Sequence, residues 1–495
     1  MLFAPVFTFL GWALGFLAAL MLVPITFALA QGQADLAVSF VVSAIVTLFF
    51  GGGMVLAMRR EVTILGRKET FFAATLIWIV LPAFAGLPFY LSDAIPSATN
   101  SYFEAMSGFT TNGATIIDDL DSQTRAILLW RSLIQWAGGF SIIVLLSALA
   151  SAFSLPGNNP LTRAIAKSSR RQMSRRFGYA VLSLLKIYGL LTAICIVALW
   201  FSGMSAFDAI CYSFSTLSTG GFMTSNAAGT AFASRGIEVV LMIFMVIGAV
   251  NFSLHWSFFN GDRQSYFKDS EYRYLLVMIT LGSLFVFALM MTQTDMSLPD
   301  TLRYAVFNTV SAVTTTGYNL PLVSGTGQYY WPIGALFVIM VLITVGGSTG
   351  STAGGIKLMR LSILMKVSNA EINRLSFPSS VFPLMYGDQR ISREQILSTW
   401  GFFVLYCGTL VVVTLLLAFN GLDLQSSISL AVTNLANAGS AAQPLITDVI
   451  VGEENFISYE ALPNFSKWLL CVTMLVGRLE FFAVLSLLNP ALWRR

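Results

Sequence analysis

Uninterrupted apolar stretches of about 20 residues, the length of helix that crosses a roughly 30 Å hydrocarbon core, recur along the whole chain and limit its fold more than any other feature. Of the 495 residues, 56% are hydrophobic and 11% are charged. Soluble domains average roughly 45–50% apolar and about 25% charged residues, so a soluble fold could not bury this much apolar surface. The sequence predicts an all-α membrane protein with many spans.

Few residues are available for catalysis or cofactor binding. His255 is the only histidine, and the four cysteines lie inside apolar stretches without metal-ligand or disulfide spacing: Cys195, Cys211, Cys407 and Cys471. The chain contains no G-x-x-x-x-G-K-[ST] nucleotide-binding motif. We therefore expect no enzyme activity and no organic cofactor, and a partner protein would have to bind any nucleotide signal.

The charges alternate between the connections that join the apolar stretches. Basic residues fall in connections 59–68, 163–176, 263–273 and 357–393 and at Arg494 and Arg495. Acidic residues fall in the intervening connections: Asp93, Asp118, Asp119, Asp121, Asp295, Asp300, Asp448, Glu453 and Glu454. The positive-inside rule then places both termini in the cytoplasm. For a loop as short as 163–176, topology explains the charge better than a nucleic-acid partner does, although such a loop can also be a docking surface.

A fourfold internal repeat follows two opening helices, which we expect near 7–29 and 37–58. Each unit contains a long apolar helix, a short helix of about a dozen residues that cannot cross the bilayer and must re-enter, a turn, and a second long helix. First helices are predicted near 70–91, 180–202, 272–293 and 396–419, and second helices near 126–152, 235–259, 331–365 and 465–488. The predicted domains are 1–66 for the opening helices and 67–160, 161–262, 263–375 and 376–495 for repeats one to four.

One turn in each unit can be aligned on a glycine. These four turns are TTNG at 110–113, STGG at 218–221, TTTG at 314–317 and ANAG at 436–439. A hydroxyl residue stands six positions before each glycine: Ser107, Ser215, Ser311 and Thr433. The glycines alone define the alignment, so this position gives partly independent support for the repeat.

The four turns suit a monovalent cation. Irregular backbone is tolerated at membrane depth only inside protein or along a water-filled path, so we expect the turns around a central axis, where rings of carbonyl oxygens replace the hydration shell of the ion. The turns contain no carboxylate, which argues against a divalent-cation site. The short helices would point the negative ends of their dipoles at the ion. Glu104 and Asp208 are candidates for raising the cation concentration at the outer mouth, but Asp208 equally fits a helix N-terminal role.

The second helix of unit three is interrupted by a Gly-rich break at 346–355, and each glycine costs about 1 kcal/mol relative to alanine in a helix. A break at mid-membrane depth below the third turn is either a gate or a plain hinge. Arg478 interrupts the last apolar helix. A buried arginine costs at least about 2.5–3.5 kcal/mol near the bilayer centre, so it needs a purpose, such as holding the break, repelling cations, or a structural pairing with Glu480.

These residues resemble the Trk/Ktr/HKT superfamily of potassium transporters, specifically its TrkH-type membrane subunit. The resemblance covers essentially the whole chain and rests on SGFTTNGAT at 107–115, STGGF at 218–222, GGSTGSTAGGIK at 346–357 and GRLE at 477–480. It implies potassium uptake across the bacterial cytoplasmic membrane, with K⁺ as the transported ion. It also implies a homodimer whose subunits each have a pore and bind a cytoplasmic TrkA-type nucleotide-binding regulatory subunit.

The resemblance also implies which residues form the filter and the gate. The ion-selectivity filter would be formed by the last three residues of each turn: Thr111, Asn112, Gly113, Thr219, Gly220, Gly221, Thr315, Thr316, Gly317, Asn437, Ala438 and Gly439. The gate would comprise Gly346, Gly347, Ser348, Thr349, Gly350, Ser351, Thr352, Ala353, Gly354 and Gly355, together with Arg478.

Two departures from the family pattern leave ion choice open. Asn112 stands where this type often has threonine, and the fourth turn is the poorest in hydroxyls. The alternatives are a sodium or non-selective monovalent cation transporter, or a symporter coupled to protons or sodium. An alternating-access carrier would show inverted repeats and midplane carboxylates, whereas these repeats run parallel and the carboxylates lie outside.

Overall fold

The computed structural model describes residues 3–58, 67–153, 170–226, 234–320, 331–377, 384–387, 389–445 and 458–488. The chain opens with two long helices, α1 (Phe3–Ala30) and α2 (Ala34–Ala57). They pack closely where Gly11 faces Gly51, because a Cβ built on Gly11 would lie 2.6 Å from the Gly51 carbonyl oxygen. Small residues allow this approach, which is typical of helix pairs in membranes.

The first two units follow the predicted order. Unit one contains α3 (Arg67–Ala85), α4 (Leu87–Leu91), the short helix α5 (Ala98–Phe109) and α6 (Arg125–Phe153). Unit two contains α7 (Arg170–Phe201), the short helix α8 (Ala206–Leu217), α9 (Arg235–Ala249) and α10 (Phe252–Phe259), followed by α11 (Ser265–Lys268).

Units three and four repeat the order with additions. Unit three contains α12 (Ser270–Gln293), the short helix α13 (Leu298–Val313), α14 (Ile333–Val345) and α15 (Leu358–Ser376). Unit four contains α16 (Arg393–Phe419), the short helix α17 (Leu424–Leu435), a 3₁₀ helix (Gly439–Leu445) and α18 (Asn464–Leu488). Between them, β1 (Met385–Tyr386) pairs antiparallel with β2 (Gln389–Arg390), a small hairpin that the sequence analysis did not predict.

Within the described ranges, seven helices are long and apolar enough to cross a membrane, and the bent pair α9 and α10 would make eight. Large side chains on and around the first short helix are almost fully buried, among them Trp78, Phe103, Phe109 and Trp130. In contrast, Phe419 on α16 is 91% exposed. Apolar side chains on the outer surface are expected where lipid tails replace water. The chain is a multi-pass helical membrane protein.

The short helices begin with the same capping interaction. In each, an N-cap side chain accepts a hydrogen bond from the backbone N–H three residues later, which satisfies a donor that the helix leaves unpaired. The N-cap residues are Ser97, Ser205, Ser297 and Asp423. Three of the four helices have 12 residues. Such a helix is about 18 Å long, which is too short to span the bilayer.

The prediction of one continuous helix over 235–259 was wrong. The helix ends at Ala249, and α10 starts at Phe252 after a bend of 99°. His255 lies just after the bend, with its Nε2 3.0 Å from the carbonyl oxygen of Ile247 and its Nδ1 2.5 Å from the hydroxyl of Tyr266. The histidine therefore bridges the two sides of the bend as a buried hydrogen-bonded residue.

Several features of the sequence lie outside the described residues. These are most of the basic connections 59–68 and 163–176, the terminal Arg494 and Arg495, and the acidic Asp448, Glu453 and Glu454. The side chain of Glu480 also lies outside them, so the pairing of Glu480 with Arg478 stays a prediction.

Candidate functional site

The four short helices end in the same backbone conformation. The last residue of each is followed by a cap with φ near −79° and then by a residue with φ between 52° and 55°. These left-handed residues are Thr111, Thr219, Thr315 and Asn437. For the three threonines, which are β-branched, this conformation is an outlier that costs about 1–2 kcal/mol per residue, whereas asparagine adopts it readily. Strain repeated at three equivalent places indicates a functional constraint rather than an accident.

A long hydrogen bond closes each of these helix ends. The N–H of the residue after the left-handed position donates to a carbonyl five residues back, which is the Schellman arrangement. The four accepting carbonyls belong to Ser107, Ser215, Ser311 and Thr433, at 2.8, 2.8, 3.0 and 2.8 Å. They are the four hydroxyl residues found six positions before the aligned glycines. Their equivalence is therefore confirmed at the level of the backbone.

The aligned glycines show that the four turns form a closed ring. A Cβ on Gly113 would overlap the carbonyl oxygen of Gly220, and one on Gly221 would overlap that of Thr316. A Cβ on Gly317 would meet Ser440 of unit four, and one on Gly439 would meet Asn112 of unit one. The units therefore follow one another around one axis in chain order. Gly113, Gly221 and Gly317 also have φ of 79°, 79° and 83°, a region that favours glycine.

The fourth turn differs from the other three after its left-handed residue. Gly439 begins the 3₁₀ helix and does not have a positive φ. Its carbonyl oxygen accepts a hydrogen bond from the Tyr459 hydroxyl at 2.9 Å. Its N–H donates to the Asn112 side chain at 3.2 Å. All four units therefore share one backbone conformation at the helix ends, whereas only the first three share the positive φ at the aligned glycine.

A buried ion pair braces the first turn. Glu104 on α5 accepts from the Nε of Arg131 on α6 at 2.7 Å, and its other oxygen accepts from the backbone N–H of Ile116 at 3.0 Å. Both charged side chains are almost completely buried. A pair this deep must be well hydrogen bonded to be tolerated. Glu104 therefore supports the turn from behind, and the expectation that it raises cation concentration at the outer mouth was wrong.

Arg131 also connects the first turn with the second. Its guanidinium lies 4.2 Å from the ring centroid of Phe222, and Nη1 donates to the Met223 carbonyl at 3.3 Å. Nη2 donates to the Thr115 hydroxyl at 2.8 Å. These residues directly follow the two aligned glycines, so one arginine holds two neighbouring loops at a fixed separation. Arg131 was missed in the sequence, although a charge inside an apolar helix signals a buried partner.

Unit three has an equivalent interaction made by an uncharged side chain. Asn308 stands nine residues before Gly317, as Glu104 does before Gly113. Its Oδ1 accepts from the N–H of Leu320 at 3.3 Å, twelve residues later, the same separation as between Glu104 and Ile116. The backbone beyond the turn is therefore held by an equivalent side-chain acceptor in both units.

Asp208 is a helix N-terminal residue. It lies in the first turn of α8, and its two oxygens accept from the hydroxyls of Ser205 at 2.6 Å and Thr224 at 2.7 Å. This geometry supports the helix N-terminal role of Asp208 rather than a role in raising the cation concentration at the outer mouth.

The Gly-rich break lies directly against the ends of the short helices. The Thr352 hydroxyl donates to the carbonyl of Leu217 at 3.0 Å and accepts from the Thr219 hydroxyl at 3.3 Å. The N–H of Gly354 donates to the Thr315 hydroxyl at 2.7 Å. A Cβ on Gly354 would overlap the Ala436 carbonyl oxygen. The break therefore touches the second, third and fourth turns from one side of the ring.

The bend between α9 and α10 exists beside this break. Ser348 and Thr352 donate their N–H groups to the carbonyls of Ala249 and Gly248, at 3.0 and 3.3 Å, and Phe252 donates to the Gly350 carbonyl at 3.2 Å. Backbone groups that a continuous helix would pair internally are paired here with the break. Such compensation is what makes irregular backbone tolerable at membrane depth. The only local signal of the bend in the described sequence of 235–259 is Asn251, whose side chain caps α10 by accepting from the N–H of Ser253 at 2.9 Å.

The break is also anchored by an acidic residue. The N–H of Thr349 donates to Glu271 at the start of α12 at 2.6 Å. Tyr386 of the small hairpin lies close by, and its burial and the nearby Glu271 carboxylate raise the pKa of its hydroxyl above the ordinary value. The break is therefore linked to both the first helix of its own unit and the hairpin.

Arg478 is buried at the base of the fourth turn. Gly477 beside it packs so closely that a Cβ there would overlap the Leu435 carbonyl oxygen. The side-chain amide of Asn437 satisfies its neighbours when its oxygen and nitrogen positions are interchanged. In that orientation its oxygen accepts from the backbone N–H of Arg478 at 3.3 Å. Within the described part of the chain, Nε and Nη2 of Arg478 have no hydrogen-bond partner. The guanidinium thus lies near the ring but makes no described side-chain bond to residues 346–355.

Known proteins with similar sequences cover the entire chain. The sequence model of the TrkH family, described as cation transport protein, matches residues 37–492. The Trk system potassium uptake protein TrkH of Vibrio parahaemolyticus is 34% identical over 501 residues, covering 100% of both chains. The TrkH of Salmonella typhimurium is 35% identical over 441 residues, 88% of each chain. The crystal structure of the potassium transporter TrkH from Vibrio parahaemolyticus matches with a TM-score of 0.88 at 33% identity, over 100% of both chains.

Proposed function

Because the chain belongs to the TrkH family of cation transport proteins, we propose that it takes up potassium ions across a bacterial cytoplasmic membrane. The observation that carries this proposal is the closed ring of four turns, each with a left-handed residue at the same place. Four short helices converge on the ring with their C-terminal ends, where the helix dipole favours a cation.

The proposed filter consists of the last three residues of each turn. The left-handed conformation is adopted by Thr111, Thr219, Thr315 and Asn437, and the glycines allow neighbouring backbones to approach more closely than any side chain would permit. Rigid bracing by Arg131 keeps the loops at one spacing, which selection by ion size requires. Potassium is the cargo of this pathway rather than a resident cofactor.

The proposed gate consists of residues 346–355 and Arg478. The hydrogen bonds from Thr352 and Gly354 to the undersides of the turns support this role, because a segment in that position blocks the ion path. Arg478 adds a buried positive charge near the same level, which opposes the passage of a cation.

Partners and location follow from the family and the charge pattern. We propose a homodimer bound to a cytoplasmic TrkA-type nucleotide-binding subunit, in keeping with relatives named as parts of a Trk system. Both termini would lie in the cytoplasm, with domains at 1–66, 67–160, 161–262, 263–375 and 376–495. Co-purification of the tagged full chain with such a regulatory subunit tests the first point, and a chain recovered without it would contradict it.

Uptake measurements test the main proposal. A bacterial strain lacking its own potassium uptake, expressing this chain together with a regulatory partner, should accumulate K⁺ and Rb⁺ in preference to Na⁺. Failure to carry any monovalent cation would overturn the proposal. The unequal fourth turn favours one second candidate, a non-selective monovalent cation transporter, which equal uptake of K⁺ and Na⁺ would identify. Varying membrane potential and proton gradient separately then distinguishes passive conduction from symport.

A further inference from the structure

Ser440, the residue after the fourth aligned glycine, brings a side-chain oxygen into the centre of the ring. A Cβ built on Gly113 would lie 2.9 Å from the Ser440 Oγ, and Cβ atoms on Gly221 and Gly317 would overlap it. One hydroxyl therefore stands within contact distance of the glycines of the three other units. It can do so only near the axis.

The backbone of Ser440 is held from two sides. Its N–H points to the Asn112 carbonyl oxygen of unit one at 3.4 Å, and its carbonyl oxygen faces the Asn319 Nδ2 of unit three at 3.4 Å. The hydroxyl donates to the Thr316 carbonyl at 3.3 Å. Ser440 is half-buried, whereas Gly439 and Ala441 on either side are buried.

The local backbone explains why a side chain occupies this position. In the fourth unit the chain turns into a 3₁₀ helix at Gly439 instead of continuing with a positive φ. The carbonyls of Ala438 and Gly439 accept hydrogen bonds from Ala441 and Tyr459 of the same unit, at 2.9 Å each. The tight turn carries the next side chain to the place that the other units leave to backbone atoms.

We propose that the Ser440 hydroxyl is an oxygen ligand of the transported cation and a determinant of ion choice in this chain. A hydroxyl has one donor and two acceptor lone pairs. With the donor directed at Thr316, the lone pairs remain for a cation held among the three glycines. This inference rests on the proposed function and adds a side-chain ligand to a site otherwise made of backbone carbonyls.

The test compares Ser440→Ala and Ser440→Thr with the unchanged chain. Both are expressed as the full chain with its regulatory partner in the uptake-deficient strain, and the ratio of K⁺ to Na⁺ uptake is measured. Ser440→Ala removes only the oxygen, so the ratio should fall by roughly tenfold, the factor for one lost contact to a charge. Ser440→Thr keeps the hydroxyl and should retain most of the ratio. Ser122→Ala, an exposed serine in the outer loop of unit one, is the matched control.

Two results would overturn the inference. An unchanged ratio in Ser440→Ala would show that the hydroxyl does not bind the ion. Faster uptake of both ions at an unchanged ratio would show that the Ser440 side chain only obstructs the ion path and does not select the ion. If Ser440→Ala does not accumulate in the membrane, the same uptake ratio is measured in Ser440→Cys, because sulfur keeps the size of the side chain but is a poor potassium ligand. The ratio should then fall in Ser440→Cys, and an unchanged ratio would overturn the inference. Absence of uptake by the unchanged chain would instead defeat the proposed function, so the two failures are distinguishable.

Discussion

The side-chain amide of Asn112 in the first turn donates to the Oδ1 of Asn434 in the fourth short helix at 2.8 Å, across 322 residues of sequence. Asn434 in turn donates to the Tyr459 hydroxyl at 3.1 Å, and Tyr459 donates to the Gly439 carbonyl. Because the Asn112 Oδ1 also accepts from the Gly439 N–H, the hydrogen bonds form a closed circuit. This circuit joins the first unit to the last and completes the ring.

Asn112→Ala should destabilise the protein by opening that circuit. The change leaves buried polar groups on Asn434 and Gly439 without their partner, which costs about 1–3 kcal/mol. In a double-mutant cycle, Asn112→Ala and Asn434→Ala should be non-additive by about 0.5–3 kcal/mol in thermal unfolding of the purified protein. Fully additive effects would mean that the two amides do not cooperate. Asn373→Ala, in the helix α15 away from the ring, is the control.

Gly113→Ser should lower the K⁺ to Na⁺ uptake ratio. Its φ of 79° and the neighbouring Gly220 carbonyl leave no room for a Cβ, so the first and second turns must separate. Strain of about 1–3 kcal/mol at such a site corresponds to a change in preference of about 5-fold to 150-fold. Gly408→Ser on α16, where a Cβ meets no atom within 4 Å, should leave the ratio as it was. An unchanged ratio in Gly113→Ser would remove the first turn from the filter.

Arg131→Met should destabilise the protein by about 3–5 kcal/mol, because it leaves the Glu104 carboxylate buried without its partner. Adding Glu104→Gln should restore part of the loss, since the amide oxygen can still accept from Ile116. Thermal unfolding of the purified chain measures both. The exposed pair Arg374 and Glu371 provides the control, and Arg374→Met should change stability by less than about 1 kcal/mol. Equal effects from the two arginine substitutions would contradict the bracing role.

Thr352→Val should raise K⁺ uptake at constant protein level. The substitution keeps the size of the side chain and removes a hydroxyl whose single proton is shared between the carbonyls of Leu217 and Gly248, so the Gly-rich break is held less firmly against the turns. The hydroxyl also accepts from Thr219. The loss of this donated and this accepted hydrogen bond, about 1 kcal/mol each, would shift a closed-to-open equilibrium by about tenfold or more. Thr280→Val, on the exposed face of α12, should have no effect. Lower uptake in Thr352→Val would place the break among the elements that support conduction.

Arg478→Ala should also raise uptake, because it removes a buried positive charge beside the fourth turn. Arg478→Lys keeps the positive charge. If that charge is what restrains the ion, the uptake by Arg478→Lys should stay close to the uptake by the unchanged chain. If both variants raise uptake equally, the planar guanidinium rather than its charge is responsible. A fall in uptake with Arg478→Ala would exclude the residue from the gate.

Features that repeat along the chain could be predicted from the sequence. Membrane helices depend on the length of an apolar stretch, and helix ends depend on nearby capping residues, so both are set by local chemistry. Ser107 and its three equivalents illustrate this, because the residue that the alignment found also accepts the closing hydrogen bond in each unit. The family resemblance rests on the same local segments.

Contacts between distant segments could not be predicted in this way. The bend at Ala249 depends on backbone partners about 100 residues later in the chain, and the local sequence does not identify them. Glu104 looked like a surface charge until its distance to Arg131 was known.

The repeat in the sequence contains no sign that the fourth turn has a different backbone from the other three. Aligned by sequence, Gly439 is equivalent to the other three glycines, whereas in the structure it starts a 3₁₀ helix that brings Ser440 to the axis. The four turns and the residues that form them could be predicted from local sequence patterns, because turns and helix ends are local. How the turns close into a ring, and which atoms reach its centre, depends on packing between units and becomes visible only in the folded chain.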